Sequence, residues 1–189
     1  MSQGIAVRRA SAQDAPRLSS LVRRTFLQFV ADTYRPRGVR RFLRQNSPRG
    51  VLRRLRRGQL VLTAATRGEP GHPGATATGE GRNGVEAATA AADRAGGTIE
   101  SIVGVIAVRN GSHVSLLFVD PSLHGRGIGR RLFAAALMEM RRRQPDLDCV
   151  TVNSSDFAIP FYRALGFEPS SEPFFSKGTK ITPMRNILR

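Results

Sequence analysis

The residues best placed for chemistry in this 189-residue chain stand together at His124-Gly125-Arg126-Gly127-Ile128-Gly129, between an apolar run and a stretch of helical periodicity. A helix that starts there presents backbone N–H groups with no intrahelical partner and the positive end of its dipole, which together favour an anion such as a phosphate. Glycines at 125, 127 and 129 would let a ligand reach that backbone without meeting side chains, and Arg126, Arg130 and Arg131 add positive charge at the same point. The spacing excludes the two common nucleotide loops. No Lys-Ser or Lys-Thr follows as in a P-loop, and Gly-x-Gly-x-Gly is not the dinucleotide pattern Gly-x-Gly-x-x-Gly. By itself the turn could still be a structural helix start. Cys149 is the only cysteine and sits in the apolar run 149–152. It reads as a small core residue, and one cysteine forms neither an internal disulfide nor a cysteine cage for a metal.

The elements that must position this turn follow from periodicity. Residues 5–9 predict a first strand, and Ser11 with Asp14 has the spacing of a capping box opening a helix. Leu18, Leu21, Val22, Thr25, Phe26 and Phe29 then recur at helical intervals as one buried stripe. Two shorter helices are expected around Val39, Phe42 and Leu43 and, after Ser47-Pro48, around Val51, Leu52 and Leu55. Strands are expected at 59–65, 99–108 and 113–119, the last two joined by the hairpin signal Asn110-Gly111. The strand at 113–119 leads into the glycine turn and a helix whose apolar side is Ile128, Leu132, Phe133, Ala136, Leu137 and Met140. A strand at 149–152, a helix at 157–165 ended by Gly166, and two closing strands complete the chain.

This order predicts a single α+β (α/β three-layer) domain over 1–189, with a mixed, mostly antiparallel sheet of about seven strands and helices on both faces. Within it, 67–98 is dominated by Gly, Ala and Thr and has Val85 as its only large aliphatic residue. It is expected to be a flexible hairpin insertion, with a transient helix at 85–95, because it holds too little apolar surface to offset its ordering entropy.

The charge is +16, from 30 Lys and Arg against 14 Asp and Glu. Such an excess often marks a polyanionic partner, but here the arginines come as pairs and triplets spread along helical stretches, so a nucleic-acid partner is not expected. No segment approaches the ~18 apolar residues of a membrane span, which predicts a cytoplasmic protein with no membrane partner.

Two motifs in order, His124 to Gly129 preceded by Leu116-Leu117-Phe118-Val119-Asp120-Pro121, and residues 152–167 with Asn153 and Pro160-Phe161-Tyr162-Arg163-Ala164-Leu165-Gly166-Phe167, resemble those of the GNAT superfamily, the Gcn5-related N-acetyltransferases, in its small bacterial members. The resemblance spans nearly the whole chain apart from 67–98. One departure is His124, where the family prefers Gln or Arg; backbone donors do most of the pyrophosphate work, so binding is expected to survive the change.

The resemblance implies an acetyl-CoA-dependent N-acetyltransferase that moves an acetyl group to a primary amine by direct attack in a ternary complex, with no metal. It places the acetyl group and pantetheine arm along Leu117, Phe118 and Val119. It puts the pyrophosphate on His124, Gly125, Arg126, Gly127, Ile128, Gly129 and Arg130, and a pantetheine amide on Asn153. It assigns Tyr162 as the acid that protonates the departing thiolate, in contact with the donor. For the base it leaves two choices, His113, which falls where histone-acetylating members carry a glutamate, or a water relay. The acceptor, a small-molecule or peptide amine, is expected near Phe29, Asp32 and Tyr34, in a monomer or homodimer. Two other readings stay open: a CoA-binding protein that has lost catalysis, or an arginine-rich RNA-associated protein. A longer acyl group on the donor is a third possibility.

Overall fold

A computed structural model of the chain describes residues 4–67 and 100–188. The expected insertion at 67–98 and its helix at 85–95 lie outside the described residues, apart from Arg67 at the end of a strand. The strands are β1 (Ile5–Arg9), β2 (Leu60–Arg67), β3 (Glu100–Arg109), β4 (His113–Val119), β5 (Cys149–Ser154), β6 (Glu168–Pro169), β7 (Phe174–Ser176) and β8 (Thr179–Ile187). The helices are α1 (Ala15–Phe29), α2 (Pro36–Gln45), α3 (Pro48–Arg56), α4 (Ile128–Arg143) and α5 (Ile159–Arg163).

The eight-stranded sheet runs β1-β2-β3-β4-β5-β8-β6, with β7 paired to the start of β8. Every pairing is antiparallel except β4 with β5. Both faces are covered, so the central strands read as continuous apolar runs. Leu60, Leu62 and Ala64 of β2 and Ile106 and Val108 of β3 face a core built with Ile128, Leu132, Phe133, Ala136 and Met140 of α4. Val61, Val105, Ala107 and Leu116 face the other way, onto Ala15, Leu18, Leu21 and Val22 of α1 and Val51 of α3. Gly104 lets α4 lie close on the sheet, since a Cβ there would sit 2.9 Å from Leu132 Cδ1.

The local signals act as their chemistry requires. Ser11 N–H donates to Asp14 Oδ2 at 2.7 Å, although a single 3-10 turn over Ala12–Asp14 precedes α1. Ser47 Oγ accepts from Gly50 N–H at 3.3 Å at the start of α3. Asn110 and Gly111 take φ of 51° and 77° in the β3–β4 hairpin, the left-handed pair that this turn demands. Beyond shifts of one or two residues at strand ends, two elements differ from expectation. The helix expected at 157–165 is the shorter α5, preceded by a 3-10 turn over Asp156–Ala158 and ended at Gly166, whose φ is 85°. The two closing strands are three, the extra one being the two-residue edge strand β6, whose Pro169 is tolerated at an edge. Among the described residues no helix is long and apolar enough to cross a membrane.

Candidate functional site

The site begins with a failure of pairing. β4 and β5 are joined only at His113↔Thr151 and Val114↔Val152. Beyond that point β4 stays bound to β3 as far as Gly104↔Val119, and β5 stays bound to β8 as far as Ser154↔Thr182. Each strand therefore continues on its outer neighbour while the two part from one another. A bulge accompanies the divergence: the β3–β4 register shifts between Ala107 and Val108, leaving Ser115 as the extra residue, with its Oγ donating to Ala107 O at 3.1 Å. An extra residue bends the strand that carries it.

The glycine turn closes one end of this gap. After β4, Asp120 Oδ1 accepts from Ser122 N–H at 3.1 Å and holds a 3-10 turn over Pro121–Leu123. Gly125 and Gly127 then take φ of 77° and 73°, a conformation that costs a side-chain-bearing residue ~1–2 kcal/mol. Gly127 is the N-cap of α4, and no side chain caps that end. The free N–H groups of a helix N-terminus are thus presented at the mouth of a cleft. Gly129 is needed for a different reason: a Cβ there would lie 3.0 Å from Phe161 Cε2.

The cleft encloses about 640 Å³. Of the residues singled out in the sequence, Leu117, Phe118, Val119, His124, Gly125, Gly127, Ile128, Gly129, Arg130, Asn153, Tyr162, Phe29 and Tyr34 line it. His124 Nε2 lies 3.0 Å from Val119 O. A carbonyl only accepts, so Nε2 carries the proton and ties the turn back to the strand. Tyr162 is buried and packs edge-on against Phe161 and Phe167, each with ring centroids 5.3 Å away. Burial pushes its phenol well above the usual range, so it is a neutral O–H at physiological pH. That hydroxyl has no hydrogen-bond partner among the described residues.

Three residues are not brought to the cleft. Arg126 and Asp32 are exposed and outside its lining. His113 stands at the paired end of β4, also outside the lining, with Nδ1 2.8 Å from Thr151 Oγ1. Burial and the positive charge of Arg109 push its pKa down to about 4. Others arrived that sequence reading missed: Thr25, Val30, Phe42 and Phe157. Phe157 follows β5 and stacks on Phe29 at 4.8 Å, so two distant segments meet over the cleft. No sequence interval links them; the only available signal was their apolar character at exposed turn and helix-end positions.

His113 yields a stability prediction. Its folded pKa lies below the ~6.5 of the unfolded chain, so the unfolded form takes up the proton first as pH falls. Stability is therefore expected to drop between pH about 6.5 and about 4, by on the order of 1–2 kcal/mol once solvent screening is allowed for. Urea denaturation of His113→Gln should lack this part of the pH dependence; an unchanged slope would remove the assignment.

Comparison with known proteins follows the same geometry. A family model described as an acetyltransferase (GNAT) domain matches residues 86–188, more than half of the chain. Among solved structures, a GCN5-related N-acetyltransferase from Rhodopseudomonas palustris superposes with a TM-score of 0.68 at 21% identity, covering 100% of this chain and 99% of that one. The PaiA N-acetyltransferase of Thermoplasma acidophilum, solved in complex with coenzyme A, gives 0.66 at 15% identity, covering 98% and 99%. YncA of Salmonella typhimurium, a putative acetyltransferase solved with its cofactor acetyl-CoA, gives 0.56 at 18%, covering 98% and 95%. No curated protein matches the chain by sequence.

Proposed function

Because this chain belongs to the GNAT acetyltransferase family, we propose that it moves the acetyl group of acetyl-CoA to a primary amine by direct attack in a ternary complex. The single observation that carries this reading is the gap between β4 and β5 leading to the uncapped N-terminus of α4. A thioester on a long amide-bearing arm with a pyrophosphate at its far end has the polarity of that cleft. The coenzyme A and acetyl-CoA bound by the PaiA and YncA relatives support the choice of donor.

In this mechanism the backbone N–H groups of residues 125–130 hold the pyrophosphate, and Arg130, which lines the cleft, adds charge. The pantetheine lies along the unpaired edge of β4 like an added strand, with Asn153 bonding one of its amides. A backbone N–H near Val119 polarises the acetyl carbonyl. The neutral amine nitrogen attacks the carbonyl carbon; the C–N bond forms, the C–S bond breaks, and the departing thiolate takes the proton of the Tyr162 hydroxyl. The amine loses one proton to water, which restores the tyrosine. His113 has no part, being at the far end of β4 and outside the lining. The water route replaces it.

Direct attack requires both substrates to be bound before any product leaves. Initial rates at varied acetyl-CoA and amine are expected to give intersecting double-reciprocal lines. Parallel lines together with an acetylated protein trapped in acetyl-CoA alone would overturn the ternary mechanism.

A further inference from the structure

Resting on the acetyl-CoA reading above, we infer that the acceptor end of the cleft takes an aromatic, otherwise apolar primary amine and binds it as the neutral free base. Beside the glycine turn given to phosphate, the cleft is walled by Phe29, Val30, Tyr34, Phe42, Leu116 and Phe118, with Phe29 lying 5.6 Å from His124. The rings form a fixed set: Phe42 meets Phe118 at 6.0 Å and Tyr34 at 6.2 Å, both edge to face, and stacks on the buried Phe26 at 3.9 Å. An aromatic side chain is the group that such walls bury with most gain.

The same lining lacks what a polycation needs. Among the described residues no Asp or Glu lines the cleft, and its one permanent charge is Arg130 at the glycine end. The carboxylates that flank it in sequence are engaged: Asp120 with Arg24 at 2.5 Å and Asp156 with Lys180 at 2.8 Å. Asp32 is exposed and outside the lining. A polyamine or aminoglycoside would give up the hydration of its ammonium groups with nothing in return, inside a chain whose charge is already +16.

That no carboxylate stands among the described lining residues also bears on reactivity. An ammonium moved into an apolar cleft is disfavoured relative to the free amine, and the free amine is the nucleophile. The site thus selects the reactive form from solution, and no protein base is required. Among the described residues, the titratable groups that line this cleft besides Arg130 are Tyr34 and Tyr162, whose phenols burial holds in the neutral form, and His124, whose Nε2 lies 3.0 Å from Val119 O.

The test compares 2-phenylethylamine and phenylalanine amide with cadaverine and spermidine, in the full-length protein saturated with acetyl-CoA. We expect kcat/KM for the aromatic amines to exceed that for cadaverine by roughly 30-fold or more. It should rise with pH until the acceptor's own pKa, so that the break falls about two units lower for phenylalanine amide than for 2-phenylethylamine. Preference for spermidine or cadaverine, no acetylation of either aromatic amine, or a break common to both amines near pH ~6.5 would overturn the inference while leaving the donor reading intact, provided calorimetry shows acetyl-CoA bound. Absence of acetyl-CoA binding would remove the donor reading and this inference with it.

Discussion

Replacing Gly127 by valine is expected to weaken acetyl-CoA binding by at least ~100-fold, close to the loss expected when the backbone N–H groups of a helix N-terminus no longer reach a phosphate. Two effects combine. Gly127 sits at φ 73°, which a β-branched residue resists, so the N-cap of α4 is pulled out of shape. The new methyl groups would also fill the open space beside the first turn of α4, where the proposed pyrophosphate would approach. The fold itself should survive, because nothing lies within 4 Å of a Cβ at this position. Gly58 supplies the control: it has φ 68°, equally open space, and lies outside the cleft lining. Gly58→Val therefore carries similar backbone strain and should leave the affinity for acetyl-CoA unchanged. Isothermal calorimetry reads both variants. Retained affinity in Gly127→Val would contradict the role given to the turn.

Tyr162→Phe is expected to lower the rate of the chemical step by roughly 100- to 1,000-fold, the usual range for loss of a positioned acid, with acetyl-CoA affinity unchanged. The ring is held by Phe161 and Phe167 rather than by its hydroxyl. Removing the oxygen should therefore leave the packing and the cleft as they are. Because burial raises the phenol's pKa, the hydroxyl still carries its proton when the C–S bond breaks and can donate it to the departing sulfur, with water returning a proton to the ring oxygen. A single-turnover measurement isolates the step from product release. An unchanged single-turnover rate would show that Tyr162 is a core residue that happens to border the cleft.

How far the sequence exposed this site depends on the range of the physics behind each residue. The glycine turn was legible because its requirements are local: positive φ at 125 and 127 and an open helix end are set by neighbours in the chain. The strands β2 and β3 were legible as strands, and Asn110-Gly111 as a hairpin, while their burial on both faces emerged only in the structure. His113 and Asp32 show where local reasoning stops. Both lie close in sequence to residues that line the cleft, Val114 and Tyr34. Which end of β4 pairs and which end separates is decided by the bulge at Ser115 and by β8 holding β5 away. No residue type in β4 announces that. Asp32 belongs to a 3-10 turn over Ala31–Thr33 that leaves it in solvent. Phe42 and Phe157 escaped notice for the converse reason, since their contacts with Phe118 and Phe29 join segments far apart in the chain. A ring in a short amphipathic helix carries no local mark of the cleft it will wall.

Acetyl transfer at the gap between β4 and β5 is the central proposal. The most direct measurement follows release of the CoA thiol from acetyl-CoA while mass spectrometry follows the amine, with aromatic amines, polyamines, peptide N-termini, lysine peptides and aminoglycosides as acceptors. Thiol is expected to appear in step with an N-acetylated amine, in equal amounts, and both are expected to be lost in Gly127→Val. Tight binding of acetyl-CoA with no acetylated product from any of these amines would contradict it and leave a CoA-binding protein without catalysis.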